Sequence, residues 1–347
     1  MTDPCVFVVI LNYRNTEYVK NCLSSLETQT YANFKTIVYD NASSDHTAYF
    51  IKQFFPEVIL LRNERNLGFA KANNLAIKFA LDKGADYILL LNNDTITDSG
   101  LIEQLVQTLD SDNTLGIAGP IVFDMNNKSV IQEFGMSCDR FGCPMPSNNQ
   151  IVADHKKISE VFYVSGCALM MKKEVLVKIG LFDDKYFMFA EDLDLCWRAQ
   201  LAGYRVVVDK EAKIYHASGG SILGGVFKSG TYKTNTKRIF LRERNTLRTV
   251  IKNYSRASLV RMIPFYLFFL CFECIVWALL MKPNVCISLL NALVWNIRVL
   301  PDTLFQRGRI QQLRVETDKV ITQRMKLSCG KFQIFRLVGI PRLLKSN

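Results

Sequence analysis

Tyr87-Ile88-Leu89-Leu90-Leu91-Asn92-Asn93-Asp94-Thr95 decides how the rest of the chain is read. Five apolar residues run without a break and then stop on polar ones. Such a run fits a strand buried on both faces, as in a parallel sheet. Ligands of parallel sheets bind beyond the carboxyl ends of the strands, and Asp94 falls there. A carboxylate in that place suits a metal ion held against a phosphate. Asn-Asp-Thr alone fits a plain turn equally well, so the neighbouring segments have to decide.

Those segments repeat the design. Cys5–Leu11 is apolar and ends on Asn12, Phe34–Tyr39 ends on Asp40, and Val58–Leu61 ends on Arg62. Between them, apolar spacing predicts helices over Thr16–Thr28, His46–Phe55 and Phe69–Asp82, the last opened by Asn66-Leu67-Gly68. The result is β-α-β-α-β-α-β, an α/β fold with a mostly parallel sheet flanked by helices. Asn12, Asp40, Arg62 and Asp94 then stand at one sheet edge, where a single crevice collects them. No GxGxxG follows the first strand, which argues against a dinucleotide-dependent dehydrogenase.

Beyond Asp94 the pattern predicts a helix over Leu101–Leu109, strands over Ile117–Phe123, Val161–Val164 and Ala168–Lys172, and a short helix over Glu174–Gly180. Residues 124–155, rich in Asn, Ser, Pro and Gly, read as a surface loop or hairpin. Glu191, Asp192 and Asp194 then open a helix behind the aromatic run Tyr186–Phe189. Acids suit a first helical turn. A carboxylate packed inward by aromatics also gains the raised pKa of a general base. Tyr204–Val208 is a strand, and Ile214-Tyr215-His216 follows. A lone histidine serves as a structural residue as readily as a ligand. Residues 217–236, with five glycines, read as a loop long enough for a lid. The helix Lys237–Asn253 carries Arg238, Arg242, Arg244 and Arg248, either as cations for a diphosphate or as a solvated face.

The chain has 347 residues and is 49% hydrophobic and 22% charged, enough for a substantial core and unlike a disordered protein. Met1–Pro4 leads straight into the first apolar run, with no basic segment or cleavage site of a signal peptide. Ten scattered cysteines suit reduced thiols in a cytosolic setting. The Cys271/Cys274 pair, inside an apolar stretch, reads as buried small hydrophobes. Net charge is +11, unevenly placed. Residues 228–347 hold 22 Lys and Arg against 5 Asp and Glu, which leaves 21 against 27 in residues 1–227. A basic tail points to an anionic surface. Anionic lipid suits it better than nucleic acid, because Met262–Met281 is long and apolar enough to cross a bilayer. Val285–Val299 is shorter, and both outer flanks are basic. A hairpin dipping into one leaflet keeps both flanks on one side. Packing against protein is the alternative. From Glu316 onward the sequence reads as loosely ordered apart from Phe332–Leu344.

Several stretches together resemble the family 2 glycosyltransferases of the GT-A fold, and within them the bacterial rhamnosyltransferase-type enzymes of cell-surface polysaccharide and O-antigen synthesis. They are Val9-Ile10-Leu11-Asn12-Tyr13, Val38-Tyr39-Asp40-Asn41-Ala42-Ser43-Ser44-Asp45, Asn66-Leu67-Gly68-Phe69-Ala70, Leu91-Asn92-Asn93-Asp94, Gly180-Leu181-Phe182-Asp183 and Glu191–Arg198, in family order across residues 5–250. The resemblance implies a catalytic domain over residues 1–255 and a basic, apolar helical region over 256–347 that associates with the membrane. It implies that Asp40 accepts from the base of a dTDP- or UDP-sugar with Arg62 nearby, and that Asn12 and Asn93 belong to the nucleotide pocket. Asp94 would hold the diphosphate through Mg2+ or Mn2+, His216 would complete the metal site, and Asp192, with Glu191 beside it, would be the catalytic base. The expected reaction is inverting transfer of a sugar, rhamnose from dTDP-rhamnose foremost, to a saccharide or lipid-linked saccharide at the cytoplasmic membrane face. A non-catalytic nucleotide-sugar-binding protein is the alternative. One position departs from the family pattern: Asn92 stands where the metal motif has its first Asp, leaving one carboxylate there.

Overall fold

The structure, a computed structural model, describes residues 3–146, 156–217, 224–228 and 231–344. Its first half alternates as the apolar runs dictate: β1 (Val6–Asn12), α1 (Thr16–Leu26), β2 (Phe34–Asp40), α2 (Thr47–Phe54), β3 (Ile59–Arg62), α3 (Gly68–Asp82) and β4 (Tyr87–Asn92). These strands are parallel, in the order β3-β2-β1-β4. Asn12 lies opposite Asp40, Asp40 opposite Arg62, and Leu11 opposite Asn92. The polar residue ending each strand therefore falls in one row. Val6–Ile10 and Ile88–Leu91 are buried on both faces, which is why neither strand alternates in sequence. α1 covers them with Val19, Cys22, Leu23 and Leu26 at helical spacing, and α3 comes close through Ala72, Ala76 and Ala80.

After β4 come β5 (Thr95–Thr97), α4 (Leu101–Asp110), β6 (Leu115–Asp124), β7 (Ile131–Glu133), β8 (Ile158–Glu160), β9 (Ala168–Lys172), α5 (Lys173–Ile179), α6 (Glu191–Leu201) and β10 (Arg205–His216). β9 lies antiparallel between β4 and β6, β10 runs parallel to β6, and β5 pairs antiparallel with β10. Two expectations change. Tyr204–Val208 and Ile214–His216 are one strand with an irregularity between Asp209 and Lys213. Val161–Val164 forms only an isolated bridge through Tyr163, because β10 already takes the edge of β6 where another strand would pair.

The chain divides into two compact units. One holds residues 1–136, 146–187 and 191–217; the other holds 137–145, 188–190 and 218–347. The division after Ala217 differs from the expected boundary at 255, since the basic helix groups with the C-terminal helices. Within the second unit, β11 (Gly224–Lys228) and β12 (Thr231–Thr234) form a hairpin that β13 (Arg342–Leu343) extends. Residues 217–236 are thus partly sheet, while 218–223 and 229–230 of the expected lid, and 147–155 of the expected surface loop, lie outside the described residues.

The helices of this unit are α7 (Thr236–Asn253), α8 (Arg256–Leu279), α9 (Pro283–Arg298), α10 (Leu300–Gln312), α11 (Asp318–Gln323) and α12 (Gly330–Val338). Arg248 of α7 is neither a solvated residue nor a ligand for diphosphate: it is buried, paired with Asp302 at 2.6 Å and donating to Thr303. α8 presents Tyr266, Leu270, Glu273 and Trp277 along one face. The Tyr266 hydroxyl donates to Glu243, and Lys331 joins Glu243 at 2.7 Å to Glu273 at 2.6 Å. Its opposite face, with Phe265, Phe268, Phe272, Ile275 and Leu279, is exposed. Cys271 is exposed and Cys274 half-buried, contrary to expectation, because their helix buries only its other face. The stretch after Glu316 is helical rather than loose: Arg314 pairs with Asp318, and the Gly330 N–H donates to Asp139 at 2.7 Å.

Candidate active site

The row at the strand ends is a connected hydrogen-bond network. Asn12 is fully buried, receives Asn93 Nδ2 on its Oδ1 at 2.7 Å and donates to Ser43 Oγ at 3.1 Å. The Ser43 N–H donates to Asp40 Oδ1 at 3.1 Å, and Arg62 Nε meets Asp40 Oδ2 at 3.1 Å. Arg62 also donates to the Ser43 carbonyl. Arg14 and Asn15 just after β1 take left-handed backbone, φ 64° and 68°, which few non-glycine residues adopt. That turn brings the Arg14 N–H to Ser43 Oγ at 2.8 Å. A cavity of about 450 Å3 opens over Ser43, Arg62 and Asn63.

The second group forms where β5 meets β10. Thr95 pairs with His216, and the Ala217 N–H donates to the Asp94 carbonyl. These bonds bring His216 Nε2 to 3.3 Å from Asp94 Oδ1. Gln132 spends its amide N–H groups on Asp124 and the His216 carbonyl, so its Oε1 accepts from Nδ1 at 3.2 Å. Burial opposes a charge on His216, but Asp94, backed by Glu133 and Asp124, outweighs it and raises the imidazole pKa. Among the described residues no three His, Cys, Asp or Glu side chains converge into a preformed metal site.

The third group sits at the start of α6. Its three acids separate by environment. Asp194 is fully buried against Arg198 at 3.0 Å, and Arg198 donates to the carbonyls of Ile179, Gly180 and Leu181. That pair fastens the Gly180 turn to the helix. Asp192 is half-buried and accepts from the N–H groups of Gly166 at 3.0 Å and Leu193 at 2.7 Å. Glu191 is buried, and its Oε2 has no partner. Burial raises both pKa values, Glu191 well above the carboxylate range with the charge of Asp192 adding to it. The donors on Asp192 favour its charged form, so Asp192 ionises first and Glu191 holds its proton.

Phe189 and Ala190, immediately before these acids, also take left-handed backbone, φ 77° and 64°. Buried Asn245 of α7 donates to the carbonyls of Met188 at 3.0 Å and Phe189 at 2.8 Å, and Arg238 stacks on the Phe189 ring at 4.4 Å. Strain of this kind persists where surrounding contacts hold it.

A family model described as "Glycosyl transferase family 2" matches residues 6–180. The chain belongs to that family. This glycosyltransferase is 29% identical over 238 residues to N-acetylglucosaminyl-diphospho-decaprenol L-rhamnosyltransferase of Mycobacterium tuberculosis, covering 62% of the chain and 76% of the relative. It is 27% identical over 214 residues to rhamnosyltransferase WbbL of Escherichia coli, covering 58% and 79%. The fold resembles mannosyltransferase PcManGT from Pyrobaculum calidifontis, solved with GDP-Man and Mn2+ (TM-score 0.53, 16% identity, 93% of this chain and 84% of that one). It also resembles GalNAc-T7, solved with UDP, GalNAc and Mn2+ (TM-score 0.60, 15% identity), where the match takes 74% of this chain but only 49% of the other.

Of the expected glycosyltransferase residues, Asn12, Asp40, Arg62 and Asn93 fall into one network, Asp94 meets His216, and Glu191 precedes Asp192 at the helix start. Glu133 was not anticipated. It lies on β7, where burial raises its pKa and Ser165, Asp192 and His216 are the neighbours that act on it. Gln132 and Glu133 fall in a stretch whose Asn, Ser, Pro and Gly read as a surface loop or hairpin, with no site residue singled out. Ser43 stood in the quoted Val38–Asp45 motif with no role assigned to it, and nothing in the sequence connects Asn245 to a turn 56 residues earlier.

Proposed function

We propose that this glycosyltransferase moves a sugar with inversion from a dTDP- or UDP-linked donor, rhamnose from dTDP-rhamnose being the leading case, to a hydroxyl of a lipid-linked saccharide. Asp40, with Arg62 holding its second oxygen, accepts from the imide N–H of the base. Asn12 and Asn93 order the nucleotide pocket beside it. Asp192 takes the proton of the acceptor hydroxyl as that oxygen attacks the anomeric carbon, and protonated Glu191 keeps a second negative charge away. A single base opposite the leaving group gives inversion. The observation that carries this reading is the environment of Asp192, a half-buried carboxylate with two backbone donors beside the buried Glu191, whose Oε2 has no partner.

Asp94 and His216 fit a divalent cation. Asp94 Oδ1 is buried without a hydrogen-bond partner, and oxygen with imidazole is a donor set Mg2+ or Mn2+ accepts. An ion held there by Asp94 and His216 would neutralise charge on the departing diphosphate. With one carboxylate from the chain, donor and metal bind together. The exposed apolar face of α8, opposite the face tied by Glu273 and Lys331, supports seating in one leaflet, and the basic flanks of the apolar segments favour the cytoplasmic side. Residues 1–255 are the catalytic region in this reading, α7 included because Asn245 fastens the turn before Glu191.

Transfer from a panel of nucleotide sugars by wild type and Asp192→Asn tests the assignment. We expect the variant to lose about 100-fold or more in turnover with donor affinity kept. Unchanged turnover removes Asp192 as the base, and donor binding without transfer or hydrolysis by wild type favours a non-catalytic role.

A further inference from the structure

We propose that the cavity between α7 and α9 binds the phosphate of a single lipid. The cavity is about 590 Å3, within the usual range of small-molecule sites. Lys237 and Arg298 supply charge to its wall, Thr236 and Asn291 supply hydrogen-bonding groups, and Phe240 and Trp295 supply apolar faces. No acid lines it. Arg244 lies over both rings, 5.1 Å from the centre of Phe240 and 4.5 Å from that of Trp295. A third cation thus adds to the field, and a guanidinium is well matched to phosphate oxygens.

The surroundings select an amphiphile over a free anion. On α9, Leu290, Val294 and Ile297 are exposed and recur at helical spacing beside Asn291 and Arg298. An acyl or prenyl chain laid along that stripe covers it while its phosphate reaches Arg298. The residues proposed for the donor's diphosphate, Asp94 and His216, do not line this cavity. The proposal deepens the membrane reading given above and rests on it for the source of the lipid.

Trp295 in the cavity wall makes tryptophan fluorescence of the full chain a direct readout. Titrations use farnesyl diphosphate and dioctanoyl phosphatidylglycerol, with farnesol and inorganic diphosphate as partial ligands. We expect saturable binding of a phosphate-bearing lipid, at least about ten-fold tighter than either partial ligand. The Lys237→Gln/Arg298→Gln variant should lose about ten-fold or more while its Tm stays at the wild-type value. Tighter farnesyl diphosphate identifies a terminal diphosphate lipid as the ligand, and tighter phosphatidylglycerol a bulk membrane lipid. Equal binding of farnesol and farnesyl diphosphate, or undiminished affinity in the double variant, overturns the proposal. Asn291→Leu gives a charge-neutral second check and should weaken the phosphate lipids alone. Wild-type protein that binds farnesyl diphosphate yet fails to float with vesicles sinks the membrane reading and leaves the cavity assignment standing.

Discussion

Side chains of the same type divide sharply in role here. Asp94 faces His216 with an unsatisfied oxygen, whereas Asn92, two residues earlier, ends β4 and offers only a neutral amide. We expect Asp94→Ala to abolish transfer and Asn92→Ala to weaken it, measured as turnover against metal concentration. Equal activity of Asp94→Ala and wild type at limiting metal refutes the assignment. Glu133 gives a prediction on pH. Burial, helped by the charge of Asp192, lifts its pKa from 4.5 to about 7, while Ser165 and His216 pull the other way. Between those values the unfolded chain has lost this proton and the folded protein keeps it, so stability falls as pH rises through the window. Glu133→Gln should flatten that part of a Tm-against-pH curve in the absence of donor; an identical slope disproves it. The positions of Asp94 and Asp192 were legible in sequence, because Asp94 follows a continuous apolar strand and Asp192 lies in the first turn of a patterned helix. Glu133 was not, since a three-residue strand in a polar stretch leaves no periodicity to read.

At the level of elements, the parallel half of the sheet was readable because continuous apolar runs leave little choice. What pairs afterwards was not. β9 and β10 meet strands far away in sequence, and only that pairing sets His216 across from Thr95. Short links are equally decisive. Gly68 has φ +79°, and a Cβ there would come within 2.4 Å of the Phe187 carbonyl, which accepts from the Phe69 N–H. Gly68→Ala should therefore cost more than about 1 kcal/mol, seen in chemical unfolding. Arg198→Ala removes the guanidinium that pairs with buried Asp194 and donates to the carbonyls of Ile179, Gly180 and Leu181. A loss of about 3–5 kcal/mol is expected from thermal or denaturant unfolding, and a change below about 1 kcal/mol contradicts the structural role given to that pair.

On the scale of the whole molecule, composition foretold a basic, apolar C-terminal region but not its internal wiring. Glu273 interrupts an apolar stretch, and sequence alone cannot say that Lys331, on the last helix, meets it. Lys331→Met should lower Tm by stranding Glu243 and Glu273 together, and Lys331→Arg should restore most of the loss. The second unit is also assembled from distant stretches. Asp139 accepts from Gly330 across 191 residues, and Cys138 receives the Lys326 N–H. During synthesis, at about 5–20 residues per second, residues 137–145 therefore wait roughly 10–40 s for their partners to leave the ribosome. A nascent chain halted before Gly330 has Asp139 bonded on one oxygen by its own loop, through the N–H groups of Phe141 and Cys143, while the other oxygen still waits for its donor, so this early loop stays incomplete until the C-terminal helices are made.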